Sequence, residues 1–223
     1  TITFSEAVYA NTGSTGDLVK ADFAVSVSGG VATLDPANWT ITHTAGETTA
    51  TLGLTLTGTA NGAETLSVAP ANATSIYDAD DNAMLVATTN AALKDLKVPV
   101  VTFAPVNAAT DIAVATNITL TFDEAIRMID DSPIDAVDIT TSMITLTSPA
   151  KGAIAYSATI DATKKIITID PTANLDTAVT YTVTLLANVV EDVANNAITT
   201  AKTASFTTVT PVVALTYPVG GES

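Results

Sequence analysis

An internal repeat constrains this chain more than any other feature of its sequence. The segment TLTFDEAI, residues 119–126, restates the segment TITFSEAV, residues 1–8, nearly residue for residue. In both segments apolar side chains alternate with threonine and then run into an acidic turn, which is the pattern of a half-buried strand followed by a turn. The chain is therefore predicted to be a tandem array of similar β units.

A second pair of similar segments indicates where each unit begins in the chain. The tail PVVALTYPVGG, residues 211–221, restates PVVTFAPVNAA, residues 99–109, which precedes the repeat in the second unit. The first unit starts at the repeat itself and is expected to lack its first strand. We predict a β-sandwich without its first strand over 1–97, a complete β-sandwich over 98–210, and, over 211–223, the first strand of a further domain or a donor strand.

Two alternatives follow for the tail, because a sandwich without its first strand has an open sheet edge and a lone strand needs a sheet. In one, flanking protein supplies the missing parts. In the other, the tail of one molecule completes the first unit of the next by β-strand addition, which would make a fibre. The donated residues would be Val212, Val213, Leu215 and Tyr217.

The fold class predicted from the whole chain is all-β. Short alternating segments are separated by turn signals about every ten residues, with almost no helical periodicity, which is typical of antiparallel β-sandwiches. Residues 51–57, TLGLTLT, predict one continuous strand, and Trp39 is predicted to lie in a core. Residues 91–97, AALKDLK, predict one or two helical turns.

The charge balance and composition limit the partners. Eight Lys and Arg against 23 Asp and Glu give a net charge of −15, which repels nucleic acid and anionic lipid and attracts cations. No apolar run approaches the roughly 18 residues of a membrane-spanning helix. We therefore expect no nucleic-acid partner and no membrane insertion. The absence of cysteine excludes disulfides, thiol catalysis and thiolate metal sites.

Both units resemble the bacterial Ig-like domains of S-layer proteins and large cell-surface adhesins. In the second unit the resemblance rests on Pro99, Phe122-Asp123-Glu124, Leu175 with Tyr181, Asp192 with Asn196, and Phe206-Thr207-Thr208. In the first unit it rests on Phe4-Ser5-Glu6 and on Asp78 with Asn82, and Leu66 stands near the place of the tyrosine. The resemblance implies tandem Ig-like sandwiches with a structural or adhesive role outside the bacterial cell and no catalysis. Tyr181 is expected to form a tyrosine corner, with its ring in the core and its hydroxyl bonded to backbone.

Acidic turns are the candidate metal sites. Residues 78–82, DADDN, place three carboxylates within five residues, and a calcium ion held by carboxylate, amide and carbonyl oxygens would relieve their repulsion. Residues 191–196, EDVANN, stand at the corresponding place of the second unit. The candidate calcium ligands are Glu6, Asp78, Asp80, Asp81, Asn82, Glu124, Glu191, Asp192 and Asn196. The alternative is that Asp and Asn occur there because they favour turns.

Catalysis is not expected. His43 is the sole histidine, and its neighbours predict an exposed turn, so a histidine-based triad is not predicted. The acidic segment 130–138 is interpreted as a solvated loop more readily than as a calcium site.

Three functions remain open from the sequence. The leading hypothesis is an extracellular structural or adhesive segment of a bacterial surface protein, such as an S-layer, stalk or adhesin array stiffened by calcium. Its expected partners are neighbouring Ig-like domains or copies of itself, together with cell-surface polysaccharide or the surface of a host or partner cell. The alternatives are a self-polymerising filament subunit joined by strand donation from the tail, and a non-catalytic accessory module of a secreted enzyme.

Overall fold

The computed structural model describes residues 1–211 and divides into two units, with the boundary between Lys97 and Val98. Short β-strands make up both units, which confirms the all-β prediction. The helical segments of the described residues are short: a 3₁₀ turn at Lys20–Asp22, an α-helical turn at Ala136–Asp138 and a π-helix at Ile139–Met143. None of them is long or apolar enough to cross a membrane.

Unit one, residues 1–97, contains eight strands that form two three-stranded sheets and one strand pair. The strands are β1 (Ile2–Thr3), β2 (Phe23–Ser28), β3 (Thr33–Leu34), β4 (Thr40–Thr42), β5 (Thr49–Gly53), β6 (Leu56–Thr57), β7 (Thr65–Pro70) and β8 (Thr89–Ala92). The sheet orders are β1-β5-β4 and β2-β7-β8, and β3 pairs with β6. Phe4, Phe23 and Trp39 belong to the core of this unit, as predicted for the tryptophan.

Unit two, which begins at Val98, contains eleven strands among the described residues. The strands are β9 (Val101–Ala104), β10 (Ala109–Ile112), β11 (Ile118–Phe122), β12 (Ile126–Met128), β13 (Ile144–Ser148), β14 (Gly152–Ala153), β15 (Tyr156–Ile160), β16 (Ile166–Pro171), β17 (Thr180–Leu185), β18 (Val190–Asp192) and β19 (Lys202–Thr208). One sheet has the order β15-β16-β11-β9, the other has the order β10-β19-β17-β13-β14, and β12 pairs with β18.

The repeated segment forms the strand that its alternation predicts. In β11 the side chains of Ile118, Leu120 and Phe122 are buried, whereas Thr119 and Thr121 point away from the core. β11 lies inside its sheet, with β16 on one side and β9 on the other. The core of unit two forms around this strand because the inward residues are apolar at every second position.

The two three-stranded sheets of unit one correspond to parts of the two larger sheets of unit two. β1, β5 and β4 hold the places of β11, β16 and β15, and β2, β7 and β8 hold the places of β13, β17 and β19. The described residues of unit one contain no counterpart of β9 or β10. Among the described residues β1 pairs with β5 alone, whereas its counterpart β11 pairs with a strand on each side.

Two local predictions were wrong. Residues 51–57 do not form one strand, because β5 ends at Gly53 and the chain crosses to pair as β6 with β3. A Cβ atom at Gly53 would collide with the hydroxyl of Thr40, so the backbone runs close to β4 where it turns away. Residues 91–97 form no helical turn: the chain continues from β8 in extended form, with Leu93 and Leu96 donating backbone hydrogen bonds to Glu64 and Ala60.

Candidate functional site

The acidic turn of unit one is organised by the carboxylate of Asp78. Its Oδ1 accepts hydrogen bonds from the backbone N–H groups of Asp80 and Asn82 at 2.9 and 2.8 Å. Its Oδ2 accepts one from the side-chain amide of Asn82 at 2.9 Å. These bonds, led by the amide of Asn82, hold the pKa of Asp78 below its usual value.

The acidic turn of unit two repeats this arrangement. Oδ1 of Asp192 accepts from the backbone N–H groups of Ala194 and Asn196 at 2.7 and 2.9 Å, and Oδ2 accepts from the side-chain amide of Asn196 at 2.8 Å. The fourth residue of each turn, Asp81 or Asn195, has a positive φ, of 64° or 71°. Asp and Asn tolerate this left-handed conformation better than most residues.

The pairing of Asp with Asn four residues later therefore has a structural explanation that requires no ion. The carboxylate caps the turn and the amide locks it, in both units. The remaining acidic residues of the first turn are exposed: Asp80 lies at the surface, and Asp81 accepts a hydrogen bond from the backbone of Gly13. Within the described part of unit one, no three acidic or histidine side chains bring ligand atoms within 4.8 Å of one another.

Glu6 lies at the same end of unit one as the acidic turn. Glu6, Asp78 and Asn82 line one open depression of about 230 Å³, as the sequence requires for a shared cation site. The three residues thus line the same depression, but among the described residues Glu6 and Asp78 do not belong to a group of three carboxylate or histidine residues with ligand atoms within 4.8 Å of one another.

In unit two the predicted ligands Glu124 and Asp192 bring their carboxylates together. A carboxylate oxygen of Glu124 lies within 4.8 Å of one from Asp192, whose side chain is fully buried. Glu191 faces away from this pair. It lies opposite Arg127 across the β12–β18 ladder and forms an ion pair with the guanidinium at 3.1 Å.

The acidic segment 130–138 uses its carboxylates locally. Asp130 accepts from the backbone and hydroxyl of Ser132, and Asp131 forms an ion pair with Arg127. Asp135 caps the helical turn by accepting from the N–H groups of Val137 and Asp138. The segment is a capped, largely exposed loop, as interpreted from the sequence.

Unit one carries an apolar groove between β1 and β8, with a volume of about 320 Å³. Its lining includes Ile2, Phe4, Leu52, Leu66, Val68 and Met84. The groove occupies the side of the sandwich where β9 and β10 cover the core of unit two. The predicted donor residues Val212, Val213, Leu215 and Tyr217 lie outside the described residues.

A family model for the bacterial Ig-like domain matches residues 94–208. The chain belongs to the bacterial Ig-like domain family. No curated protein matches the chain. Domains of this family are typically non-catalytic and extracellular or surface-exposed, in keeping with a surface-associated structural or adhesive module.

The tyrosine corner expected of an Ig-like domain is present in unit two. The ring of Tyr181 is buried and stacks on Phe206 at a centroid distance of 5.9 Å. Its hydroxyl accepts a hydrogen bond of 2.8 Å from the backbone N–H of Asp176, five residues upstream. In unit one, Leu66 of β7 occupies the position that corresponds to Tyr181, opposite β8, and its side chain is only partly buried.

The prediction of an exposed histidine was wrong. His43 is only 6% exposed, and its Nδ1 accepts a hydrogen bond from the backbone N–H of Leu18 at 3.1 Å. The other ring nitrogen, Nε2, lies 3.3 Å from the carbonyl oxygen of Glu47. His43 therefore joins two loops of unit one, and both ring nitrogens are occupied in that structural role.

Sequence reasoning missed the buried carboxylate of Glu64. Its Oε1 accepts from the backbone N–H groups of Val31 and Ala32 at 2.8 and 2.9 Å, and its Oε2 accepts from that of Asn61 at 2.9 Å. These bonds, led by the one from Ala32, lower the pKa of Glu64. The available signal was Gly30, because a Cβ atom at that position would collide with the carboxyl group of Glu64.

Proposed function

We propose that this chain is an extracellular structural segment of a bacterial surface protein, such as an S-layer, stalk or adhesin array, in which each Ig-like sandwich serves as a spacer. The observation that carries the proposal is the repetition of one architecture. Three strands of each large sheet of unit two recur in the same order in unit one, and each unit contains an Asp–Asn turn of the same hydrogen-bond pattern. Repetition of a whole sandwich suits a spacer, because each added unit makes the array longer without adding a binding or catalytic site.

Three buried side chains of types that often take part in catalysis have structural hydrogen bonds instead. His43 joins two loops, Glu64 receives three backbone N–H groups, and Asp192 caps a turn. We propose a non-enzymatic role on this basis. The proposed partners are neighbouring Ig-like domains or other copies of the chain. In an adhesin, cell-surface polysaccharide or the surface of a host or partner cell would be the target.

Calcium binding at the acidic turns is a separate part of the proposal. It is supported in unit two by the approach of Glu124 to Asp192 and in unit one by the shared depression of Glu6, Asp78 and Asn82. The net charge of −15 favours cation uptake in general. Glu191 contributes least to the proposal, because its carboxylate is paired with Arg127.

Surface labelling tests the structural role. Antibodies raised against the folded chain are expected to label intact cells that carry the gene, and protease added outside those cells is expected to remove the signal. Labelling that requires permeabilised cells would contradict an extracellular role.

Thermal unfolding tests the calcium proposal, because a ligand that binds the native state raises its stability. The melting temperature of the intact chain is expected to rise with millimolar calcium and to fall back with chelator. The rise is expected to shrink in Glu124→Gln. An unchanged melting temperature in calcium would remove calcium from the account and leave the spacer role standing.

A further inference from the structure

We propose that two adjoining depressions of unit two bind a neutral polysaccharide, with the side chains of Lys151, Asn174 and Tyr181 contacting its sugar hydroxyls. The proposal rests on the surface role given above and deepens it. Cell-surface polysaccharide is one of the targets proposed there, and the depressions give that target a binding site. Both depressions lie in the part of the chain that the family model matches.

The two depressions share the loop that joins β16 to β17. The larger one, of about 320 Å³, lies between residues 151–155 and the loop residues 172–175. The smaller one, of about 160 Å³, lies between residues 114–116 and the same loop. Ala173 and Asn174 line both, so the depressions meet at these two residues. Two adjoining depressions suit consecutive units of a chain molecule, because a small compact ligand needs only one pocket.

A buried hydroxyl with an unused donor lines the larger depression. Tyr181 is 1% exposed, and its hydroxyl accepts the hydrogen bond from the backbone N–H of Asp176 at 2.8 Å. Within residues 1–211 the proton of this hydroxyl has no acceptor. A buried donor without an acceptor costs free energy, and an oxygen of a ligand in the depression would supply the acceptor.

An ion pair beside this hydroxyl offers donors and acceptors together. The Nζ atom of Lys151, which lines the larger depression, lies 2.5 Å from a carboxylate oxygen of Asp176. The hydrogen bond to Asp176, and after it the charge of that carboxylate and the nearby oxygen of Tyr181, raise the pKa of Lys151. The ammonium therefore keeps its three donors next to a carboxylate that only accepts. A sugar hydroxyl both donates and accepts, so this pair matches its chemistry.

The walls of the larger depression leave room for a sugar ring. Ala153, Ala155 and Ala173 are exposed and short, and Ile154 is partly buried between the first two. Their methyl groups present an apolar surface to the C–H bonds of a ring through dispersion contacts. The exposed side-chain amide of Asn174 adds a donor and an acceptor where the two depressions meet.

The charges of the protein favour a neutral ligand over an acidic one. The ammonium of Lys151 is balanced by the carboxylate of Asp176, and the carboxylate of Asp170 lines the smaller depression. The whole chain carries a net charge of −15, which repels a polyanion. The expected ligand is therefore a polysaccharide without carboxylate or sulfate groups.

Nuclear magnetic resonance of the ¹⁵N-labelled full chain tests the proposal, because the shifts of backbone amides report which residues a ligand contacts. The probes are cellotriose, maltotriose and chitotriose, which are neutral, and trigalacturonic acid, which is acidic. We expect at least one neutral probe to shift the amides of residues 151–155 and 172–176 in a saturable way. The acidic probe is expected to leave these amides unchanged.

Side-chain variants test the named contacts. Lys151→Ala and Asn174→Ala are each expected to weaken binding about fivefold, because each removes a hydrogen bond to the sugar. Tyr181→Phe keeps the ring and removes the hydroxyl, so it is expected to weaken binding while its spectrum shows a retained fold. Lys202→Ala is the matched control, since Lys202 is an exposed lysine of β19 that does not line either depression.

Three results would overturn the proposal. They are shifts that map to other residues or are absent with every probe, equal affinities of Lys151→Ala and Lys202→Ala, and tighter binding of the acidic probe than of the neutral ones. Each of them leaves the spacer role intact, because surface labelling of cells tests that role separately.

Discussion

Leu120 lies opposite Phe103 in the antiparallel ladder of β11 and β9, and this pair seals one edge of the core of unit two. Ile2 holds the place of Leu120 in unit one, and within residues 1–211 no strand lies on the corresponding side of it. Leu120 is fully buried, whereas Ile2 is only partly buried. The ladder of β11 and β9 thus covers Leu120, and the described residues form no such ladder beside Ile2.

Removal of the turn-capping carboxylate in unit two is expected to destabilise the protein. Asp192→Ala leaves the N–H groups of Ala194 and Asn196 and the amide of Asn196 without this acceptor. We expect a loss of about 2 kcal/mol in the free energy of unfolding, measured with urea. Asp170→Ala, which removes an exposed carboxylate from β16, is the control and is expected to stay within about 0.5 kcal/mol.

The pair of Arg127 and Glu191 offers a second test in the same unit. Arg127→Gln leaves the buried carboxylate of Glu191 without its cation and is expected to cost about 2 kcal/mol. Glu191→Gln in the same background is expected to restore part of that loss, because the unpaired charge is gone. A double-mutant cycle measures the coupling directly. Strictly additive losses would mean that the two side chains do not interact in solution.

Stability is expected to depend on acid pH through Asp161. Hydrogen bonds, led by one from the hydroxyl of Thr163 and followed by one from the backbone N–H of Ile166, lower the pKa of Asp161 from 3.8 to about 2. Because the folded-state pKa lies below the unfolded value, this stabilisation is present above the unfolded pKa and is lost as the pH falls toward the folded one.

Asp161→Asn is therefore expected to be less stable than wild type at pH 7, by a difference that shrinks as the pH falls from about 4 toward 2. Urea unfolding at a series of pH values measures it. Thr163→Val removes only the hydroxyl and is expected to show a smaller effect of the same sign. A gap that stays constant down to pH 2 would contradict the role given to Asp161.

The alternation of apolar and polar residues predicted the features of the fold that depend on neighbouring residues in the sequence. Ile118, Leu120 and Phe122 are buried as their spacing requires, and Tyr181 makes the corner that the resemblance implies. The continuous strand predicted around Gly53 failed because a tertiary crossing to β3 overrode a regular pattern. Pattern alone cannot show where a strand changes partner.

The polar interior was less predictable, because its partners are remote in sequence. His43 accepts a hydrogen bond from the backbone N–H of Leu18, and Glu64 accepts hydrogen bonds from those of Val31 and Ala32, each more than twenty residues away. The positions of the two acidic turns were predicted correctly. The sequence left two explanations open for their Asp and Asn residues, calcium binding and a preference of these residues for turns. The Asp–Asn hydrogen bonds account for the turn, and calcium binding stays a prediction.

The most direct test of the spacer role is the location of the chain on cells, by immunogold electron microscopy. Antibodies against the folded chain are expected to place gold on the outer surface of intact cells that carry the gene, and protease added outside the cells is expected to remove it. Gold found only inside sectioned cells would contradict the account.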